Sequence, residues 1–225
     1  MDRFHRTRLL LGDEATNKLQ KSTVMIVGCG AVGSFAIEAL ARIGVGNLII
    51  IDFDKVEESN INRQLFALDS TIGKAKVDVA KARILDINPC IKVQALNLFF
   101  DENSVIEYTP DVVIDAIDSV DSKIALYSWC QSRHIPFISS MGAARKTDPM
   151  QIKIAKLSKT TVCPLAAKIR KLVRTKSIPD FDVVYSTETP DKNVGPYKTF
   201  GSLITVTGTF GLLMANYAIK NIVKH

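Results

Sequence analysis

A glycine-rich turn, Gly28-Cys29-Gly30-Ala31-Val32-Gly33, constrains this chain most, because it lies between a short apolar run and a helical pattern. Residues 23–27 predict a buried parallel strand, and residues 31–43 predict a helix that begins at the turn. The free backbone N–H groups and the dipole of a helix N-terminus favour anions such as phosphate. A second apolar run ends at Asp52, where an acid is well placed to bind a ribose. The sequence therefore predicts a nucleotide-binding strand–turn–helix unit.

Apolar and amphipathic segments alternate along the first 142 residues. Strands are predicted at 23–27, 48–51, 92–96, 111–116 and 136–139, and helices at 8–21, 31–43, 74–87 and 122–133. The alternation predicts an α/β fold with a doubly wound, mostly parallel Rossmann-like sheet. After Gly142 the pattern predicts an antiparallel strand at 151–155, a basic helix at 164–175, a loop-rich stretch at 177–198 around a strand at 181–185, and a final apolar segment. We expect a single domain over residues 1–225, with a nucleotide-binding half at about 1–142 and a C-terminal elaboration at about 143–225.

Cysteine spacing and charge narrow the class of protein. Four cysteines stand at 29, 90, 130 and 163 with no Cys-x-x-Cys pair, so no structural zinc and no redox dithiol are expected. Scattered thiols and an N-terminus without an apolar signal core predict a cytoplasmic protein. The formal net charge of +6 favours a polyanionic partner, although a solvated basic surface explains it equally well. Residues 200–219 are uncharged but diluted by glycine and threonine, which favours a helix buried against the sheet or a partner subunit over a membrane span.

Polar residues follow the predicted strands at positions that fall on one edge of the sheet. They are Asp52, Asp54, Asn60, Arg63, Gln64, Lys76 and Asp118. A carboxylate at Asp118 can hold Mg²⁺ through oxygen, and the alternative is a helix N-cap supplied by Asp118 or Ser119. Lys76 either faces an anion or is solvated, and Arg63 and Gln64 have an exposed loop as their alternative. The glycines alone leave an NAD-dependent dehydrogenase open.

Together with Gly28, Gly30 and Gly33, this set resembles the ATP-dependent activating enzymes of the ubiquitin-activating superfamily over residues 3–155. The resemblance implies that Asp52 binds the ribose of ATP and that Asp118 holds Mg²⁺. It also implies phosphate contacts from Asn60, Arg63, Gln64 and Lys76. Arg6 looks like an arginine that crosses a homodimer to the partner's triphosphate, with Arg8 as the alternative.

Within that superfamily, residues 117–120, 148–152, 164–170, 186–188 and 201–211 are similar to the tRNA threonylcarbamoyladenosine dehydratases, over nearly the whole chain. Members of that family use ATP to close the threonyl side chain of a modified adenosine near the tRNA anticodon into a ring. No cysteine follows Cys163, which fits cyclisation better than sulfur relay. An adenylyltransferase for a small carrier protein ending in Gly-Gly is the main alternative. A dinucleotide oxidoreductase and a non-catalytic scaffold with a relic site are two others.

A basic segment predicts where tRNA would bind. Residues 149–179 contain eight basic side chains and no acidic one. Lys168, Arg170, Lys171 and Arg174 on the predicted helix are the candidate phosphate contacts, with a solvated helix face as the alternative. Arg145 and Lys146 beside Gly142 form a second candidate group.

Overall fold

A single seven-stranded sheet organises the computed structural model, which describes residues 2–190 and 200–224. Its strands are β1 (Thr23–Val27), β2 (Asn47–Asp52), β3 (Lys92–Asn97), β4 (Val112–Asp115), β5 (Phe137–Ser140), β6 (Ile152–Lys156) and β7 (Asp182–Ser186). The spatial order is β3-β2-β1-β4-β5-β7-β6. Neighbouring strands are parallel except for the edge strand β6, which is antiparallel to β7. The predicted α/β, doubly wound and mostly parallel sheet is confirmed.

Six α-helices accompany the strands in the described part of the chain. They are α1 (His5–Lys21), α2 (Gly33–Ile43), α3 (Lys76–Ile87), α4 (Val120–Ser132), α5 (Pro164–Thr175) and α6 (Ile204–Lys224). Helix α1 begins three residues before the predicted start, and the amide of Arg8 donates to the carbonyl of Phe4 there. Helix α2 begins two residues after its predicted start, because residues 30–32 still belong to the turn. Part of the loop predicted at 177–198 lies outside the described residues.

Both faces of the sheet are covered, which explains why its central strands are almost continuously apolar. Along β1, Val24 and Ile26 face one hydrophobic cluster with α2, α3 and α6. The alternate residues Met25 and Val27 face another cluster, to which α4 contributes. Strand order reverses between β1 and β4, since β2 and β3 lie on one side of β1 and the later strands lie on the other. A crevice at the carboxyl ends of the strands is expected at this switch point.

Most of the apolar C-terminal segment forms α6, which packs against α2, α1 and the sheet. Val206, Phe210, Met214 and Ala218 recur every four residues and are fully buried. Their spacing places them on one face of the helix. The expectation of a buried helix is therefore confirmed. Among residues 2–190 and 200–224, no helix combines the length and hydropathy needed to cross a bilayer.

Candidate nucleotide-binding site

The largest group of predicted site residues meets in one pocket at the carboxyl ends of β1, β2 and β4. Its volume is ≈ 370 Å³. The predicted residues on its wall are Gly28, Gly30, Asp52, Asp54, Arg63, Gln64, Lys76 and Asp118. Gly33 and Asn60 belong to the same segments but do not line it. Sequence order and the parallel sheet thus bring eight of the predicted residues to one place.

Two glycines of the turn are required by close backbone contacts. Gly28 has φ of +98°, and a Cβ there would lie 2.5 Å from the carbonyl oxygen of Ala116. A Cβ on Gly33 would lie 1.7 Å from the carbonyl oxygen of Gly28. Gly33 therefore acts from behind the wall, because it lets α2 approach the strand end closely. The N-terminus of α2 then faces the pocket, where its amides and dipole favour an anion.

Asp52 is held rigidly at the end of β2. Its Oδ2 accepts a hydrogen bond of 2.7 Å from the amide of Cys29, and its Oδ1 accepts one of 2.8 Å from the amide of Asp54. Each carboxylate oxygen has a second acceptor position, so both can still accept from ligand hydroxyls. Burial, followed by the charge of Asp52, raises the pKa of the Cys29 thiol well above its usual value, although Lys76 opposes this. Cys29 is therefore a buried, neutral thiol.

Lys76 is a buried cation that faces the pocket. Its Nζ lies 2.7 Å from Oδ2 of Asp54, and its backbone amide donates to the carbonyl of Asp54 over 2.9 Å. Lys76 is only 7% exposed, so the alternative of a solvated lysine is wrong. An ammonium group has three donors, and Asp54 is its single hydrogen-bond partner within the described residues. Two donors are left for a ligand oxygen.

The segment after β2 contributes three residues in different ways. Arg63 lines the pocket, and its Nη1 donates to the carbonyl of Ser59 over 2.7 Å and to Oδ1 of Asn62 over 2.8 Å. Those bonds fix the guanidinium by one nitrogen. Gln64 is a buried part of the wall. Asn60 is used inside the turn, where its Oδ1 accepts from the amide of Glu57 over 3.2 Å.

The loop after β4 answers the question of what caps α4. Ser119 is the N-cap residue, and its Oγ accepts from the amide of Ser122 over 3.5 Å. Asp118 lines the pocket and has no hydrogen bond or ion pair within residues 2–190 and 200–224. Mg²⁺ in nucleotide sites is held by one or two carboxylates together with substrate phosphates. A single uncommitted carboxylate at this position fits that requirement.

A fully buried polar network lies beneath the pocket and was not predicted. Nζ of Lys123 donates over 2.8 Å both to Oδ2 of Asp115 and to the carbonyl of Ser140. Ser139 Oγ also donates to Asp115, and Tyr127 shares a hydrogen bond of 2.6 Å with Ser139. Burial and the Asp115 charge raise the pKa of Tyr127, so its hydroxyl stays neutral. The network ties the end of β4 to the end of β5, which continues into the wall segment 140–144.

An apolar wall stands beside Asp52. Phe53, Leu98, Phe99 and Ile117 line this side of the pocket. The rings of Phe53 and Phe99 meet edge to face, with their centroids 4.9 Å apart. A planar base fits such a wall, because aromatic and aliphatic surfaces bury its faces. The sequence analysis did not predict that Leu98 and Phe99 line the site, because the strand before them has no charged residue at its end.

The basic helix predicted at 164–175 is α5, and the structure shows that it is amphipathic. Lys168, Lys171 and Arg174 are exposed, while Ala166, Ile169 and Val173 are buried. Arg170 is half-buried, and its Nη1 donates to the hydroxyl and carbonyl of Thr160. Three of the four candidate phosphate contacts are thus presented to solvent, and the fourth also anchors the helix.

The position of Lys146 changes the prediction of a second basic group that contacts tRNA. Lys146 is only 2% exposed, and its Nζ donates to the carbonyl of Glu188 over 2.6 Å. Burial lowers its pKa. Its use as a surface contact for RNA is therefore wrong, because the ammonium group is committed to the interior.

Arg6 and Arg8 differ in a way that separates the two alternatives. Arg8 lies 3.1 Å from Asp2 and 3.0 Å from Asp13, so both ends of its guanidinium are engaged. Arg6 is exposed and makes no hydrogen bond or ion pair within the described part of the chain. Arg6 is therefore the one of the two whose guanidinium is uncommitted within the described residues.

The switch-point pocket, glycine turn, fixed acid and buried lysine define a nucleotide-binding protein of the ThiF type, and the ThiF family model matches residues 4–225. The chain is 47% identical over 194 residues to the tRNA threonylcarbamoyladenosine dehydratase of Bacillus subtilis, covering 84% of this chain and 76% of that one. The crystal structure of the Escherichia coli tRNA N6-threonylcarbamoyladenosine dehydratase in complex with ATP superposes with a TM-score of 0.92 at 38% identity, over 99% of this chain and 94% of that one. The molybdopterin-synthase adenylyltransferase of Haemophilus influenzae is 32% identical over 92% of this chain and 77% of its own length. The chain therefore belongs to the ThiF family, and it shares more sequence identity with these two dehydratases than with the adenylyltransferase.

Proposed function

We propose that this protein binds ATP with Mg²⁺ and transfers AMP to the carboxylate of N6-threonylcarbamoyladenosine in tRNA, which then cyclises with loss of water. The observation that carries the proposal is the gathering of Asp52, Lys76, Arg63 and Asp118 around one pocket with an apolar wall. The relative from Escherichia coli, which shares the fold over its length, binds ATP in its crystal structure. The higher identity to the dehydratases favours this substrate over a carrier protein.

Each pocket residue has a role that follows from its surroundings. Asp52, fixed by two backbone amides, accepts hydrogen bonds from the ribose hydroxyls. The wall of Phe53, Leu98, Phe99 and Ile117 buries the adenine. Lys76, Arg63 and Gln64 bind the triphosphate, and the N-terminus of α2 binds the phosphate nearest to it. Asn60 supports this group from behind by holding the turn that carries Arg63.

Adenylation activates an acid that is otherwise a poor electrophile. AMP transfer to the carboxylate oxygen forms a P–O bond and expels pyrophosphate, and the acyl carbon then carries a good leaving group. Catalysis of such a transfer rests on positioning and charge neutralisation, which Lys76 and Arg63 provide. Asp118 would hold Mg²⁺, and the ion would supply positive charge to offset the charge of the leaving pyrophosphate.

The second step needs no covalent enzyme intermediate. A nucleophile within the same modified nucleoside attacks the activated carbonyl, releases AMP and closes the ring, so proximity is built into the substrate. The net change is loss of one water from the nucleoside, whose oxygen leaves on AMP. Cys163, which is buried and bonded to the amide of Ala166, serves as the N-cap of α5.

The direct test supplies Mg-ATP and tRNA that carries threonylcarbamoyladenosine, and analyses the nucleosides by mass spectrometry. We expect the modified nucleoside to lose the mass of one water, with one AMP and one pyrophosphate released per turnover. A small carrier protein ending in Gly-Gly serves as the competing substrate. Pyrophosphate exchange stimulated by that protein, and not by tRNA, would identify the adenylyltransferase alternative instead.

We further propose that the exposed basic face of α5 binds the tRNA backbone. Replacing Lys168, Arg170, Lys171 and Arg174 together by Ala should weaken tRNA binding more than tenfold at moderate salt, because each phosphate contact releases counterions. ATP affinity should stay unchanged, since none of the four lines the pocket. Filter binding at several salt concentrations measures the effect, and Lys81, Arg83, Lys92 and Lys220, changed together, give a control of equal charge. Equal tRNA affinity for the two quadruple variants would remove α5 from the RNA site.

We also propose a cytoplasmic homodimer in which Arg6 of each subunit reaches the partner's triphosphate. The freedom of Arg6 within the described residues supports this role. Leu9 and Leu10 on α1 and Leu212 on α6 are exposed apolar side chains on two helices that pack together, which favours an interface between copies. Residues 1–142 then serve as the nucleotide-binding half and residues 143–225 as the tRNA-binding elaboration. A sulfur-relay or carrier protein is a further partner to be tested by the competing-substrate assay.

A further inference from the structure

A second cavity, here named the α4 groove, adjoins the nucleotide pocket along the outer face of α4. Its volume is ≈ 750 Å³. The groove runs between the loop after β3 and the C-terminal end of α5, and it shares Phe99 and Ser122 with the nucleotide pocket. From Ser122 to Arg133 it follows α4 for about 16 Å. Of the residues assigned above to ATP or Mg²⁺, Phe99 is the one that also lines the groove.

Two buried polar atoms belonging to residues of this groove are unsatisfied. Ser122 is 3% exposed and Trp129 is 8% exposed, and both line the groove. Neither Oγ of Ser122 nor Nε1 of Trp129 has a hydrogen-bond partner within residues 2–190 and 200–224. Buried donors in folded proteins are almost always paired, because an unpaired one retains its full desolvation cost. Ser122 and Trp129 thus each keep a hydrogen-bonding group that no described residue uses, on the helix that lines the groove.

Charge is distributed unevenly along the groove. Three carboxylates, Asp101, Glu102 and Asp121, line it with Phe99 and Ser122, near the nucleotide pocket. Two cations, Arg133 and Lys176, line the far end, where α4 and α5 finish. The Arg133 guanidinium also stacks over the Trp129 ring, 4.6 Å from its centroid. Acceptors at one end and cations at the other suit a ligand that has amino groups and a phosphate.

We propose that the α4 groove binds a nucleotide that flanks the reacting adenosine in the tRNA substrate, an assignment that rests on the proposed function. Exocyclic amino groups of the base donate to the carboxylates, and Trp129 Nε1 donates to a base acceptor. The phosphate binds Arg133 and Lys176. Lys176 follows directly after α5, so the groove continues the basic face of that helix towards the nucleotide pocket.

The test uses Trp129→Phe, which removes the N–H donor and keeps an aromatic ring, and Lys176→Ala, which removes an exposed cation. An anticodon stem-loop RNA labelled with a fluorophore reports affinity by anisotropy, independently of catalysis. We expect the Kd of Trp129→Phe to rise about three- to tenfold. Lys176→Ala should reduce the salt slope of log K by about 1, whereas Trp129→Phe should leave that slope unchanged. ATP affinity should be wild-type in both variants.

Matched controls separate this outcome from a loss of structure. Tyr217→Phe deletes a hydroxyl bonded to Asp182 outside the groove, and Lys81→Ala deletes an exposed cation on α3. Both controls should bind the stem-loop like the wild type, and thermal melting checks that every variant folds. If Trp129→Phe does not fold, the Lys176→Ala result decides. Wild-type RNA affinity and salt slope in the folded groove variants, or a loss that affects only a protein partner, would overturn the assignment. The proposed function fails separately, if the wild-type enzyme removes no water from modified tRNA.

Discussion

Replacement of Asp118 by Asn should lower tRNA-dependent ATP–pyrophosphate exchange about 10²–10³-fold, because it removes the uncommitted carboxylate proposed to hold Mg²⁺. The fold should survive, since Ser119 and not Asp118 caps α4. The affinity for ATP measured without Mg²⁺ should not fall, and it should rise slightly, because one negative charge near the phosphates is removed. A Mg²⁺ titration of the exchange rate should therefore show the defect most clearly.

The control for Asp118→Asn is Asp86→Asn, which neutralises an exposed carboxylate at the end of α3 that does not line the pocket. This variant should have the wild-type Mg²⁺ dependence. An Asp118→Asn enzyme that exchanges pyrophosphate at the wild-type rate with the same Mg²⁺ midpoint would contradict the metal role. A loss accompanied by a lower melting temperature would indicate a structural role instead.

Replacement of Lys76 by Met should also abolish most activity, by about 10²–10³-fold, because it removes the buried cation proposed to bind the triphosphate. Met keeps an unbranched apolar stem and lacks the terminal ammonium group. Asp54 loses its partner, but its side chain is 47% exposed, so water replaces the lysine and the variant should fold. Isothermal titration with ATP and single-turnover assays should show weaker binding together with slower adenylation.

Lys76→Met subunits can also be mixed with Arg6→Ala subunits to test whether Arg6 acts on the partner's site. Each homodimer should be inactive if Arg6 acts across the interface. In a dimer mixed from the two variants, one of the two sites contains an intact Lys76 and the partner's intact Arg6. Random mixing should therefore restore about a quarter of the wild-type activity, because half of the dimers are mixed and each has one complete site.

The control for this complementation is Arg8→Ala, since Arg8 is committed to Asp2 and Asp13 within its own subunit. Arg8→Ala should retain activity alone. Absence of recovery in mixtures shown to contain mixed dimers would exclude Arg6 as the residue that crosses between subunits. Activity of Arg6→Ala alone would exclude it as well.

Residues at strand ends were predictable because apolar runs locate the strands and amphipathic patterns locate the helices between them. Asp52 ends one buried parallel strand and Asp118 follows another. Parallel strands bring their carboxyl ends to one edge of the sheet, so the common location of these two residues required no long-range information. Lys76 was harder, because a lysine in the first turn of a helix is usually solvated. Its burial depends on the contact between Asp54 and the start of α3, which joins segments 22 residues apart.

Other features could not be read from local sequence. Asn60 stands in the same polar cluster as Arg63, yet it bonds inside its own turn, and that choice depends on backbone geometry. Lys146 looks like a surface cation in sequence, but its ammonium group is buried and donates to the carbonyl of Glu188, which lies 42 residues later. Trp129 and the end of α5 meet only after α4 and α5 have packed on the same face of the sheet. Each of these outcomes depends on tertiary contacts and not on local sequence.

The ion pair between Asp115 and Lys123 limits how this pocket can diversify. Both side chains are completely enclosed, so a change of either one alone strands a charge without solvent and costs about 3–5 kcal/mol. Replacing both at once by apolar residues of similar volume avoids the stranded charge, but it leaves the Ser139 hydroxyl and the Ser140 carbonyl without these partners. The effect of a substitution at one of these two positions is therefore expected to depend on which residue stands at the other. Redesign of the floor between β4 and β5 for another acid substrate should exchange them as a unit.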